Sequence, residues 1–324
     1  MTSSAPVLSE LVRSRRDLLR NGWTDRRIAA ALADGSLVGI RRGWFMHAVD
    51  RTALWAEEKH LAHVIAVARD ARGSAVMSHS SAAVLWDLPL HGVRLARVHM
   101  TTPTPRRISS APDVLRHVAP LPASDVVVRA GIRCTSLSRT VFDAVRFLPV
   151  GAAVALADAA ERQMALRQRE WDMDAVLSWR RGLAGRLEEA TGARGIRRAR
   201  WVAAFADGRA QLPGESVSRL HLHTLGFAAP ELQVPIDGPD GSRYLVDFGL
   251  ADVRSFGEFD GKTKYLDEAM RSGRSLDQVL LAEKQREDWI RGRTQWRFAR
   301  WGAEHIRTPA ALAARLAAFN ISPP

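Results

Sequence analysis

At 324 residues and 35.8 kDa the chain is longer than one ordinary domain needs, so two or three domains are expected. Hydrophobic residues at 46% and charged residues at 25% exclude a disordered chain, and the single cysteine, Cys134, excludes a disulfide framework or a thiolate zinc site. A net charge of +12, from 47 Lys and Arg against 35 Asp and Glu, favours a polyanionic partner, with nucleic acid ahead of an anionic membrane surface.

The first 50 residues read as two helices and a hairpin. A helix is expected from Ser9 through Leu11, Val12, Leu18 and Leu19 to Asn21-Gly22. Thr24 would cap a second, turning Ile28, Ala31 and Leu32 inward and ending at Asp34-Gly35. Leu37 to Ile40 and Trp44 to Met46 read as strands around the basic tip Arg41-Arg42-Gly43. The segment Met1 to Asp17 lacks the apolar core of a signal peptide, and no run of about 18 apolar residues offers a membrane span. With one cysteine, these features point to a cytoplasmic protein without a membrane partner.

Helix, turn, helix and basic hairpin together predict a winged helix. Its candidate DNA contacts are Arg26 and Arg27 on the second helix and Arg41 and Arg42 on the wing. On spacing alone, the same pairs fit a solvated charged face. The run Gly22-Trp23-Thr24 through Leu37-Val38-Gly39-Ile40-Arg41-Arg42-Gly43-Trp44-Phe45 resembles the N-terminal winged-helix domain of AbiEi-type antitoxins of type IV toxin–antitoxin systems. That resemblance implies DNA as a partner, together with a cognate toxin protein and a homodimer.

Residues 51–150 read as a mixed α/β domain. A helix is expected over 53–70, a strand at Ala75-Val76-Met77, a short helix through Leu85, and strands from Arg94 to Thr101 and Asp125 to Cys134. Ser78-His79-Ser80-Ser81-Ala82-Ala83, Val98-His99-Met100-Thr101 and Thr135 to Thr140 resemble the middle region of the same antitoxin-like proteins. His79 and His99 suggest a metal site, but no third ligand stands at suitable spacing, and the reading is rejected. Residues 151–210 read as an alanine-rich helical linker, with Arg194, Arg197, Arg198 and Arg200 crowded on one stretch.

Residues 211–324 predict a helix from Glu215 to Gly226, strands over 231–236, 243–250 and 253–260, a helix over 275–291, a strand from Trp296 to Trp301 and a closing helix. The fold class expected for the whole is therefore a multidomain α+β or α/β chain. Within the last domain, Asp247 sits late in one strand, and Glu258 and Asp260 near the end of the next. Strand alternation places Glu258, Asp260 and Lys262 on one side. Clustered carboxylates repel unless a cation neutralises them, and Mg²⁺ or Mn²⁺ takes such hard oxygen ligands. Only four of the 47 basic residues are lysines, and Lys262, Lys264 and Lys284 fall beside these acids.

The α-β-β-β-α-β order resembles the restriction-endonuclease-like core of the PD-(D/E)XK nucleases. Val246-Asp247-Phe248-Gly249-Leu250 followed by Gly257-Glu258-Phe259-Asp260-Gly261 is similar to a branch related to very-short-patch-repair endonucleases. The resemblance implies metal-dependent hydrolysis of DNA phosphodiester bonds. It places Mg²⁺ or Mn²⁺ on Asp247, Glu258 and Asp260, lets Glu215 orient water, and makes Lys262 or Lys284 the stabilising cation. One departure stands out: two positions after Glu258, where that pattern has Lys, this chain has Asp260. The blander reading pairs Glu258 and Asp260 with Arg243 or Lys262, makes Glu215 a first-turn helix charge, and makes Lys284–Asp288 a helical ion pair. A non-catalytic antitoxin-like regulator with a degenerate nuclease fold is the alternative function.

Overall fold

Ser14 divides the helix expected from Ser9 to Asn21. Its hydroxyl accepts the Asp17 N–H at 3.0 Å, and the Asp17 carboxylate accepts the Ser14 N–H at 3.0 Å. Such a reciprocal pair starts a helix anew. In the computed structural model, which describes residues 5–71, 76–103, 111–167, 170–260 and 275–324, the segment is therefore α1 (Ala5–Leu11), a two-residue strand β1 (Arg13–Ser14) and α2 (Arg15–Arg20). Thr24 caps α3 (Asp25–Ala33), and β2 (Leu37–Arg41) pairs antiparallel with β3 (Trp44–His47) in a sheet of order β1-β3-β2. Leu18, Ile28, Ala31, Leu37 and Phe45 close its core, while Leu32, expected inward, is 41% exposed.

The chain falls into two units, one formed by Met1–Leu156 with Asp174–Ala204, the other by Ala157–Met173 with Phe205–Pro324. The stretch read as a linker over 151–210 is thus shared between them. In the first unit, α4 (Ala48–Ala53) and α5 (Ala56–Asp70) lead into β4 (Val76–Met77), α6 (His79–Leu85), β5 (Val98–Thr102), β6 (Val114–Val118), β7 (Val126–Arg129), β8 (Ile132–Thr135) and α7 (Leu137–Val145). The sheet order is β6-β5-β4-β8-β7, with β5 and β6 parallel. The single strand expected from Asp125 to Cys134 is a hairpin, because Ala130 and Gly131 both take positive φ, 47° and 75°, and turn the chain in two residues. Strand β6 is an addition to the expected elements, since Val114-Leu115-Arg116-His117-Val118 does not alternate polar with apolar.

The remaining helical region holds α8 (Val150–Ala165), the short hairpin β9 (Leu166–Arg167) and β10 (Glu170–Trp171), α9 (Met173–Glu189) and α10 (Ile196–Phe205). The second unit then runs α11 (Pro213–Leu225), β11 (Glu231–Asp237), β12 (Arg243–Leu250), β13 (Ser255–Phe259), α12 (Leu276–Thr294), β14 (Arg297–Trp301) and α13 (Pro309–Ala317). Among the described residues, the element order is the one read from the sequence. Strands β11, β12 and β13 are antiparallel neighbours, and β14 joins β13 in parallel, a pairing whose crossover includes α12. Helices α11 and α13 bury Leu222, Leu312 and Leu316 with Phe248 and Trp301, while Ile290 of α12 packs in a separate cluster with Val246, Phe256 and Phe298.

The β11–β12 pair carries an irregularity. Leu232 and its partner Phe248 belong to the first cluster, whereas Val234 and its partner Val246 belong to the second. The alternation of faces breaks at Gln233 and Asp247, and Gln233 takes a φ of 54°, a left-handed geometry rare for a residue with a side chain. Among the described residues, no helix is long and apolar enough to cross a membrane.

Candidate functional site

The break in the β11–β12 pair brings three polar side chains together. Gln233 donates through Nε2 to Asp247 Oδ1 at 3.3 Å and lies 3.4 Å from Glu215 Oε2. Glu215 is 4% exposed and sits in the first turn of α11, where its Oε2 accepts the Gln211 N–H at 2.7 Å. Asp247 Oδ2 accepts the Phe259 N–H at 2.9 Å, which ties it to the strand that carries Glu258. Two of the expected acids therefore share a hydrogen-bonded neighbourhood, with a glutamine between them that carries no signal in the sequence.

Glu258 is 8% exposed, and its charge is met by two guanidinium groups. Arg286 of α12 reaches Oε1 at 2.5 Å and Arg300 of β14 reaches Oε2 at 3.2 Å. Arg286 also donates to the Leu245 carbonyl at 2.6 Å. Glu283 and Glu287 complete the network on Arg300, at 2.8 Å and 3.2 Å. Burial alone would lower the Arg286 pKa. The Glu258 hydrogen bond and the charges of Glu258 and Glu283 outweigh it and hold the guanidinium above its ordinary value. Among the described residues, the cations beside Glu258 are arginines from elements distant in the sequence, Arg286 and Arg300, and not Arg243; the other expected partner, Lys262, lies outside those residues.

Asp260 follows the end of β13, donates its N–H to the Trp301 carbonyl at 2.8 Å, and lines a cavity with Arg300, the partner of Glu258, and with Trp301, Glu304, His305 and Arg315. Lys284 lies on α12 with an exposed side chain. Lys262 lies outside the described residues. Among the described residues, the ligand atoms of Asp247, Glu258 and Asp260 do not all lie within 4.8 Å of one another. Among the described residues, the set of three metal-ligating side chains with ligand atoms within 4.8 Å of one another is His79, His99 and His117.

The rejection of a site at His79 and His99 rests on the lack of a third histidine or acid at suitable spacing; the structure brings one beside them, His117, on the additional strand β6, which pairs in parallel with the strand carrying His99.

The four basic candidates near the N-terminus also separate. Arg26 and Arg42 are exposed, the latter at the β2–β3 turn where Gly43 takes a φ of 79°. Arg27 is exposed and stacks over the Trp23 ring at 4.2 Å. Arg41 is spent internally: it pairs with Asp70 and, at 2.9 Å, with Asp113. In the same unit, Arg146, Arg194, Arg197, Arg198 and Arg200 line an open cavity of ≈ 820 Å³.

No known family profile matches the chain. Two curated proteins of Mycobacterium tuberculosis are similar to part of it: uncharacterized protein MT2308 of strain CDC 1551 / Oshkosh and uncharacterized protein Rv2248 of strain ATCC 25618 / H37Rv. Each is 34% identical over 131 residues, 40% of this chain and 44% of the relative. The chain thus spans less than half the length of the curated relatives it matches.

Proposed function

We propose that the chain is a DNA-binding, antitoxin-like regulator whose second unit keeps a restriction-endonuclease-like fold as a binding or pairing surface without hydrolysing DNA. The observation that carries this reading is the clamp on Glu258. Both carboxylate oxygens of the residue expected to hold the catalytic ion are taken by Arg286 and Arg300. Arginine stays protonated, and with one guanidinium on each oxygen the pair fills the place of a metal without supplying a nucleophile. The order α1-β1-α2-α3-β2-β3 supports a winged helix, in which α3 would enter a major groove with Arg26 at its start and Arg42 would meet phosphate from the wing.

Gel-shift and footprinting of upstream DNA test this reading. Binding is expected to weaken as salt rises and to fall in Arg26→Ala and Arg42→Ala, with no cleavage in Mg²⁺ or Mn²⁺. A salt-insensitive chain with no footprint would overturn it.

Metal-dependent phosphodiester hydrolysis is the second reading. The cluster of Glu215, Gln233 and Asp247 on a locally strained strand favours it, since strain of this kind is concentrated at working sites. Plasmid cleavage that needs Mg²⁺ or Mn²⁺ and disappears in Asp247→Ala and Glu258→Ala would establish it in place of the first.

A further inference from the structure

We propose that His79, His99 and His117 hold a divalent transition-metal ion of the zinc class, with three imidazole ligands and the rest of the coordination sphere supplied by solvent or an anion. The site lies wholly within the first unit and rests on none of the acids of the second.

Geometry carries the assignment. Each histidine offers one ring nitrogen, and the three lie within 4.8 Å of one another. His99 Nδ1 and His117 Nε2 stand 3.1 Å apart. A tetrahedral ion bound at about 2.0–2.1 Å holds its nitrogens about 3.4 Å apart, so a shift of a few tenths of an ångström admits it. Without an ion, two ring nitrogens at this distance must share a proton. With one, both present lone pairs to the same point. The His79 ring lies against that of His117, with centroids 3.8 Å apart, and a turn of the ring out of this stack brings its in-plane lone pair to the shared point.

The surroundings behave as a ligand-orienting shell. His79 Nδ1 lies 3.0 Å from Ser78 Oγ, which in turn accepts the Thr101 hydroxyl at 2.8 Å, and Ser78 and Thr101 are 0% and 1% exposed. An Nδ1–H donated to Ser78 leaves Nε2 of His79 as the coordinating atom, the arrangement by which outer hydrogen bonds fix a ligand's tautomer. The His99 backbone N–H is fixed on Ser81 Oγ at 2.8 Å.

His79 also takes a φ of 51°, at the first residue of α6. A left-handed histidine at a helix start costs free energy, and the cost persists only where the position of the side chain is otherwise fixed. Three imidazole nitrogens suit Zn²⁺, Ni²⁺, Co²⁺ or Cu²⁺ and suit Mg²⁺ poorly.

The test is titration of the full chain, stripped with EDTA and dialysed, with Co²⁺ and then Zn²⁺. One equivalent of Co²⁺ is expected to give visible bands of a nitrogen-ligated, low-coordinate ion, and Zn²⁺ is expected to displace it. His117→Gln, on an edge strand, and His79→Gln are each expected to weaken binding more than tenfold, with the far-ultraviolet circular dichroism spectrum confirming that each is folded. Absence of saturable binding in the unaltered chain would overturn the proposal, as would unchanged affinity in both variants. The Co²⁺ spectrum of the unaltered chain decides the matter even if a variant fails to fold.

Discussion

Replacing Glu258 by alanine separates the two accounts of the second unit by the sign of its effect on stability. The Glu258 side chain is 10% exposed, and its partners Arg286 and Arg300 are 14% and 21% exposed. Removing the carboxylate strands the Arg286 guanidinium beside the Leu245 carbonyl with, among the described residues, Glu283 at 3.6 Å for a counter-charge. Arg300 fares better, because Glu283 and Glu287 remain in contact with it. Breaking a buried pair from one side costs about 3–5 kcal/mol, and the surviving acids reduce that here to roughly 2–4 kcal/mol. For a unit of this size the loss corresponds to a fall in Tm of about 10 °C. Glu258→Gln, which keeps an acceptor but loses the charge, should fall between. An acid held in place for a metal behaves in the opposite way: without the ion it is repelled by Asp247, so its removal raises the melting point. Thermal and urea unfolding in EDTA, followed by tryptophan fluorescence, read the sign directly. Arg286→Ala alone should also destabilise, and the Glu258→Ala/Arg286→Ala double variant should recover part of the summed loss. An unchanged or raised midpoint for Glu258→Ala would refute the clamp.

Further outcomes are expected at named residues. His60, 3% exposed, has its pKa pushed down to about 3, chiefly by burial and then by His63 and His99. A cation-forming group depressed in the fold takes its proton in the unfolded chain first. Its contribution is therefore intact above the unfolded value near 6.5 and is lost as pH falls toward 3, at up to about 1.4 kcal/mol per pH unit. Urea midpoints of the EDTA-treated chain should drop from pH 7 to pH 5, and His60→Gln should flatten that slope. Gly257→Ala brings a Cβ to within 2.2 Å of the Trp301 ring, which is 1% exposed and cannot retreat, so a loss of about 1–3 kcal/mol is expected. Gly292→Ala in α12 meets nothing within 4 Å and should leave stability level or raise it, as chemical unfolding of both variants would show. Arg42→Ala should lower the slope of log affinity for DNA against log salt by about 1 without moving the Tm. Arg41→Ala should do the reverse, because its ion pairs with Asp70 and Asp113 are internal.

The element order of residues 213–317 is legible because its punctuation is local. Gly226 at a φ of 91° ends α11, and the turn from Asp237 to Gly241 separates two apolar runs. The acids Glu215, Asp247 and Glu258 are legible as residues in that order. What each touches is not. Asp247 departs from the expected alternation because Gln233 opposite it is left-handed, and one glutamine in an apolar strand announces nothing. His117 stays hidden for a related reason. A parallel edge strand needs no alternating pattern, and once β6 is overlooked the neighbouring histidines on β5 and α6 read as a pair that cannot hold an ion.

The case of Glu258 shows why the partner of a buried charge is the least readable quantity. A lysine two positions on, or an arginine 28 positions on, satisfies the same carboxylate, and local sequence cannot rank them. Packing ranks them. Ile290 seats α12 against Val246, Phe256 and Phe298, and Arg286, one turn earlier on the same helix, is then delivered to Glu258. The chemistry depends on that delivery. An ammonium can lose its proton and leaves room beside a reacting phosphate, whereas a guanidinium keeps its charge and takes the oxygens a metal would need. On the proposed reading, the apolar face of one helix thus selects arginine rather than lysine as the partner of Glu258.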